Sequence, residues 1–312
     1  MKVVVTGGAG FIGSNIAEEL AKKYEVVIVD DLSSGKLENI RGLNLEFVRG
    51  CVTDIDLLKK VFRDAEYVFH QAAIASVQKS LEDPLKVEEV NVRGTLCVLI
   101  AARDADVEKV VFASSAAVYG DSPELPKREN MTPQPKSPYA VSKLAGEYYC
   151  EVFNEVYGLK TVSLRYFNVY GPRQDLTSEY AAVIPRFLIR SLAGKPLVIY
   201  GDGNQTRDFV FVKDVVNANI LAMEKNVCGV FNVASGKAVS INELAEVVMK
   251  VVGKNVEVVY ERERKGDVRH SLGDISKART FLGYVPEYSL EEGLRITLKW
   301  LIQSPNFKEY LS

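Results

Sequence analysis

Lys2-Val-Val-Val-Thr6 runs directly into Gly7-Gly-Ala-Gly10-Phe-Ile-Gly13. The first five residues form a short, apolar, β-branched run of the kind that makes a strand buried on both faces. Beyond the glycines, Ile12, Ile16 and Leu20 recur at helical spacing, so the glycines fall between a strand and a helix. Glycine there permits a tight turn, close backbone approach to a pyrophosphate and close helix–strand packing, and the helix start offers amides and a positive dipole end. Gly7, Gly10, Phe11, Ile12 and Gly13 are therefore the candidate phosphate cradle. A second apolar run, Val26-Val-Ile-Val29, ends in Asp30, seventeen residues beyond Gly13. A carboxylate at that strand end accepts the adenosine ribose hydroxyls and repels a 2′-phosphate. Asp31 adds a second negative charge and no arginine adjoins the pair, so the expected cofactor is NAD and not NADP.

The alternation continues outward. Leu45-Glu-Phe-Val48, Tyr67-Val-Phe69 and Lys109-Val-Val-Phe-Ala113 read as strands, with helical patterns at about 54–63 and 86–104 between them. This predicts an α/β chain built on a Rossmann-type, doubly wound parallel sheet, with ligands outside the carboxyl ends of its strands. The strand-end segments His70–Ala73 and Ala113–Gly120 are expected to face the cofactor. Residues 1–167 are read as the dinucleotide domain, with 208–232 returning to it. Residues 168–207 and 233–312 are read as a smaller C-terminal α/β substrate domain. In that half, helix signals stand near 181–192 and 215–225, and Ser240-Ile-Asn-Glu243 and Ser289-Leu-Glu-Glu292 are capping-box patterns.

The 312 residues suffice for a large core, and 47% hydrophobic with 26% charged residues is ordinary for a globular chain. A net charge of −2 gives no reason to expect a nucleic-acid or anionic-membrane partner. Four scattered cysteines make no disulfide framework, and two histidines do not suggest a metal site. No apolar run reaches membrane-spanning length, and the cytoplasm is the expected location.

Chemistry enters at Tyr139-Ala-Val-Ser-Lys143, whose tyrosine and lysine share one face of a helix. At a separation of about 5 Å and an effective dielectric of about 20, the ammonium would favour the phenolate by roughly 3 kcal/mol. That would bring a tyrosine from about 10 towards 8. Ser114 and Ser115 end an apolar strand, and a serine, Tyr139 and Lys143 together suit proton transfer at a substrate oxygen.

With these motifs in place the chain resembles the extended short-chain dehydrogenase/reductase family, and within it the nucleotide-sugar epimerases. The matching stretches are TGGAGFIG (Thr6–Gly13), DDLSSGK (Asp30–Lys36), HQAA (His70–Ala73), NVRGT (Asn91–Thr95), SSAAVYG (Ser114–Gly120), YAVSK (Tyr139–Lys143), RYFNVYGPR (Arg165–Arg173), GDGNQTRDFVFVKD (Gly201–Asp214) and RKGD (Arg264–Asp267). The resemblance implies Ser115, Tyr139 and Lys143 as catalytic residues. It implies further NAD contacts at Asp31, Ser34, Gly35, Gln71, Ala72, Ala73, Asn91, Tyr139, Lys143 and Tyr166. For a UDP-hexose it implies Ser115, Tyr139, Asn168, Arg207, Arg264 and Asp267, with Ser271 beside the C2 substituent, where a small residue would admit N-acetyl groups. It also implies a homodimer through the helices near 86–104 and 139–156, the second of which carries the apolar line Leu144, Tyr148, Val152 and Val156 with Tyr149 and Phe153 beside it.

Two details refine the expectation. Where related dehydratases and decarboxylases carry acidic residues after the catalytic hydroxyl residue, this chain has Ala116-Ala117, which cannot exchange protons. That leaves reversible oxidation at C4, and the resemblance implies UDP-glucose and UDP-galactose as the substrate pair. A UDP-glucuronate epimerase, a net nucleotide-sugar oxidoreductase and a non-catalytic dinucleotide sensor are the alternatives. The family's usual Gly-Asp after the third strand is here Gly50-Cys51, so the adenine contact is expected to be lost or replaced.

Overall fold

The computed structural model describes residues 1–175, 182–263, 268–304 and 307. Its first strand, β1 (Lys2–Thr6), has Val3, Val4 and Val5 fully buried, as a β-branched strand covered on both faces requires. Helix α1 (Phe11–Leu20) returns the chain to β2 (Glu25–Asp30), which is followed by β3 (Glu46–Arg49), α2 (Ile55–Val61) and β4 (Ala65–His70).

The helix expected over 86–104 is interrupted. Helical structure starts earlier, at α3 (Val77–Glu82) and α4 (Pro84–Val87), and the expected span itself passes through a π-helical turn over Glu88–Arg93 into α5 (Gly94–Asp104). Two breaks result, one before the expected span and one within it. Pro84 opens α4 with Asp83 as its side-chain N-cap, which ends α3. The π turn carries Asn91 inward, where its amide is hydrogen-bonded on both sides. Beyond it come β5 (Lys109–Ser115), α6 (Pro138–Tyr157), β6 (Lys160–Tyr166) and the short β7 (Asn168–Tyr170).

The remaining elements are α7 (Val183–Leu192), β8 (Leu197–Tyr200), β9 (Thr206–Arg207), β10 (Phe209–Phe211), α8 (Val212–Glu224) and β11 (Gly229–Val233). After these follow β12 (Val239–Ser240), α9 (Ile241–Val252), β13 (Val258–Glu261), α10 (Ser276–Leu282) and α11 (Leu290–Gln303). Ser289 forms the expected reciprocal capping box with Glu292. At Ser240 the side chain accepts from the Glu243 amide.

Seven strands form one sheet in the order β11-β6-β5-β4-β1-β2-β3, and every pairing in it is parallel. The order reverses between β1 and β4, which opens a crevice at the carboxyl ends of those strands. One face of the sheet packs on α1 and α8 and the other on α2, α5 and α6. Smaller two-stranded ladders, β7 with β10, β9 with β12 and β8 with β13, build the C-terminal α/β region. Its separate core includes Phe187, Leu188, Phe211, Leu244 and Leu294.

Candidate active site

The glycine turn is as tight as its sequence demands. Gly7 has φ +67°, and a Cβ there would meet the Ala72 amide at 2.6 Å. A Cβ on Gly13 would lie 2.2 Å from the Gly7 carbonyl. Gly10 caps α1 without any side-chain hydrogen bond, so the first-turn amides receive no side-chain acceptor from the cap.

At the end of β2, Asp30 is 7% exposed. Its carboxylate accepts from the Ala9 amide at 3.0 Å and the Leu32 amide at 2.8 Å. Burial pushes its pKa up against the pull of those two amides. Gly35 is needed beside it, since a Cβ there would lie 2.7 Å from Asp30 Oδ1. Asp31 and Ser34 are exposed on the same loop, and Asp31 accepts from the Ser33 amide at 2.9 Å. At the end of β3, Cys51 is half-buried and accepts from Thr53 Oγ1 at 3.2 Å.

Across the switch point, Gln71, Ala72 and Ala73 are half-buried after β4. Tyr166 Oη contacts Gln71 Oε1 at 3.3 Å and the Asn219 amide at 2.8 Å. Asn91 is 2% exposed. It accepts from the Ile74 amide at 2.8 Å and donates to the Ile74 carbonyl at 3.2 Å and Ser142 Oγ at 3.0 Å. It thereby ties the loop after β4 to the turn of α6 that carries Tyr139 and Lys143. His70 is buried between Thr6 Oγ1 (2.7 Å) and Thr95 Oγ1 (2.9 Å). Desolvation, helped by Lys143, pushes it down to about 3, so the ring is neutral at physiological pH.

Ser115, Tyr139 and Lys143 meet at the carboxyl end of β5. Lys143 Nζ donates to the Ala113 carbonyl at 2.8 Å and stands 5.1 Å over the Phe112 ring and 6.0 Å from the Tyr139 ring. Burial brings Lys143 down to about 8. Tyr139 differs from expectation. Burial pushes its phenol up, opposed by a hydrogen bond with Ser115. The expected depression by Lys143 is not found: its ammonium is turned to the Ala113 carbonyl, 6.0 Å from the ring, and desolvation outweighs the bond from Ser115. Ser115 Oγ also accepts from the Ala117 amide at 3.1 Å.

On the other side of the crevice, Asn168 opens β7 and its amide donates to the Asp208 carbonyl at 3.1 Å. Arg207 Nη1 donates to the Thr206 carbonyl at 2.8 Å. Both line a cavity of about 330 Å³ shared with Arg186, Tyr200, Gln205 and Phe209. Ser271 is half-buried, its amide bonded to the Thr206 carbonyl at 3.1 Å. Arg264 and Asp267 lie outside the described residues.

Three participants went unassigned from sequence. Arg186 stacks over Tyr200 at 5.4 Å in the cavity. Asp208, fully buried, accepts from the Ser235 amide and hydroxyl at 2.7 and 2.6 Å, the Gly236 amide at 3.0 Å and the Gly273 amide at 3.1 Å. Glu147 forks with Arg165 beneath Ser114. A charged residue next to Arg207 and one a helical turn past Lys143 were the available signals. Among the described residues, no cluster of histidine, cysteine and acidic side chains could hold a metal. No described helix is long and apolar enough to cross a membrane.

Known proteins of this architecture place the site in a family. Residues 3–234 match the model of the NAD dependent epimerase/dehydratase family. A UDP-N-acetylglucosamine 4-epimerase of Methanobrevibacter ruminantium, solved with UDP-N-acetylmuramic acid, is 47% identical. The match covers 97% of this chain and 98% of that one, with a TM-score of 0.94. A UDP-glucose 4-epimerase of Thermus thermophilus, in complex with NAD, is 43% identical over 96% and 98% of the two chains, with a TM-score of 0.89. A UDP-glucuronic acid 4-epimerase of Bacillus cereus, in complex with UDP-glucuronic acid and NAD, is 33% identical over 97% and 99%, with a TM-score of 0.90. With its glycine turn, its switch-point crevice and this breadth of match, the chain belongs to the NAD dependent epimerase/dehydratase family.

Proposed function

We propose that this protein inverts C4 of a UDP-hexose, with UDP-glucose and UDP-galactose as its principal pair. It is an NAD-dependent enzyme of a family whose members here act on UDP-sugars. The observation that carries the finer reading is the meeting of Ser115, Tyr139 and Lys143 at one strand end, followed by Ala116 and Ala117, which have no titratable group.

The residues present fit NAD. Gly7 and Gly13 leave no room for a side chain, and the uncapped start of α1 offers amides to a pyrophosphate. Asp30 offers carboxylate oxygens to the adenosine ribose. When bound, NAD supplies hydride acceptance at C4 and its return to the opposite face of the 4-keto sugar. Tyr139 takes the 4-hydroxyl proton and gives it back. Ser115 hydrogen-bonds the same sugar oxygen and, by its bond to the phenol, favours the ionised form. Lys143 holds the ribose and its charge favours phenolate once the dinucleotide closes the site. Asn168 and Arg207 hold the diphosphate, with Arg264 and Asp267 completing that side and Ser271 leaving space at C2 for an N-acetyl group.

The chain is read as a cytoplasmic homodimer. Tyr148, Val152 and Val156 are exposed along α6, Leu81 and Leu85 on α3 and α4, and a two-fold contact would cover both. Light scattering should report twice the chain mass. The deciding assay is chromatography of UDP-hexoses incubated with the protein: interconversion without net NADH accumulation is expected. Turnover of UDP-glucuronate alone would replace the hexose reading, and net NADH release would replace epimerisation with oxidation.

A further inference from the structure

Tyr139, Lys143 and Glu147 follow one another at four-residue steps along α6, so they share a face. The first two belong to the proposed proton transfer. The third is buried and already committed. Glu147 Oε1 accepts from Arg165 Nε at 2.8 Å and Oε2 from Arg165 Nη2 at 2.7 Å, with both side chains 4% exposed. Ser114 Oγ donates to the same carboxylate. Ser114 pairs with Arg165 in the β5–β6 ladder, and the next pair along is Ser115 with Tyr166. One carboxylate therefore fastens α6 to both strands, directly beneath the reacting groups.

We propose that the Glu147–Arg165 pair is a positioning device for the reaction: its fork sets α6 against β5, and its internal neutrality keeps stray charge away from Tyr139 and Lys143. This rests on the function proposed above. The other groups facing the pair leave the balance to it. Tyr119, whose ring lies 4.7 Å from the Arg165 guanidinium, and Cys150 are each pushed up to about 12 by burial. His70, facing Lys143, is pushed down to about 3. All three are neutral at physiological pH. Glu129 accepts from the Asn232 amide at 2.8 Å. It lines, with Arg128, Glu151, Asp274, Lys277 and the pair itself, a groove of about 790 Å³, whose water screens those outer charges.

Glu147→Gln gives the cleanest test, because an arginine cannot shed its proton and Arg165 remains an obligate cation. A cation there favours phenolate, so the Tyr139 phenol should titrate about one pH unit lower than in the native chain. In Glu147→Gln/Arg165→Gln neutrality returns, and so should the titration. Tyrosinate absorbance of the NAD-loaded protein, minus that of the corresponding Tyr139→Phe protein, reads this without substrate. The acid limb of the rate profile should move with it. Arg165→Lys, which keeps the charge and loses the fork, is the second variant. Its titration should hold while kcat falls about tenfold from misplacement. A phenol that titrates alike in Glu147→Gln and the native protein, or that shifts in Arg165→Lys, overturns the proposal. Absence of UDP-hexose turnover by the native protein would instead overturn the function, leaving the absorbance test intact.

Discussion

The two sides of the crevice are held by different means. On the dinucleotide side, Asp30, Gln71 and Ser115 stand at or just past the ends of strands in a seven-stranded sheet whose central valines are fully buried. On the side proposed to hold the sugar nucleotide, Asn168 and Arg207 stand on ladders of two strands, three pairs long for β7–β10 and two for β9–β12. Ladders that short cannot fix a side chain by themselves. The polar hub at Asp208 does it instead. It binds the loop at 235–236 and the Gly273 amide, while its carbonyl takes both the backbone and side-chain N–H groups of Asn168. One side is placed by hydrophobic burial and ladder length, the other by a buried carboxylate.

The largest effect is expected at Tyr139. Tyr139→Phe should lower kcat by about 10²–10⁴, the worth of a positioned acid/base, while NAD affinity stays within about twofold because the sheet is untouched. Rapid turnover by that variant would sink the mechanism. Next in size is Asp208→Asn, which turns an acceptor of four donors partly into a donor. Losing charge-assisted hydrogen bonds worth roughly 1.5–3 kcal/mol each should raise KM for the UDP-sugar about thirtyfold, with NAD binding unchanged by isothermal titration. An equal loss in NAD affinity would mean that the two sides are not held separately.

A pH test sharpens the dinucleotide side. His70 is neutral between Thr6 and Thr95, with its folded-state pKa about 3 against an unfolded 6.5. The unfolded chain therefore binds the proton first. The stability tied to this ring is complete above about pH 6.5 and drains away as pH falls toward 3, with a limiting slope of about 1.4 kcal/mol per pH unit. Urea unfolding at pH 7 and pH 5 should show a smaller acid loss for His70→Gln than for the native chain. The smallest effect is expected at Ser271. Ser271→Tyr should cut kcat/KM for UDP-N-acetylglucosamine about tenfold, within the 1–3 kcal/mol that one pocket contact commands. UDP-glucose turnover should be spared. N-acetyl activity untouched by the tyrosine would show that Ser271 is not the gate.

The strand–glycine–helix opening, the parallel alternation, the acidic end of β2 and the serine, tyrosine and lysine that meet at β5 were legible from the residues alone. Each of these is a local rule: a β-branched run, a residue without a Cβ, a four-residue step on a helix. Tertiary structure decided what depends on neighbours far along the chain. The π turn at Asn91 arises because its amide finds Ile74 and Ser142. The phenol of Tyr139 is raised, not lowered, because burial costs the charged form more than the Ser115 hydrogen bond returns, with Lys143 turned to the Ala113 carbonyl. Glu147 and Asp208 read locally as ordinary charged residues. Their partners, Arg165 for one and Ser235, Gly236 and Gly273 for the other, are brought to them only when the chain closes, and burial then makes each pairing obligatory.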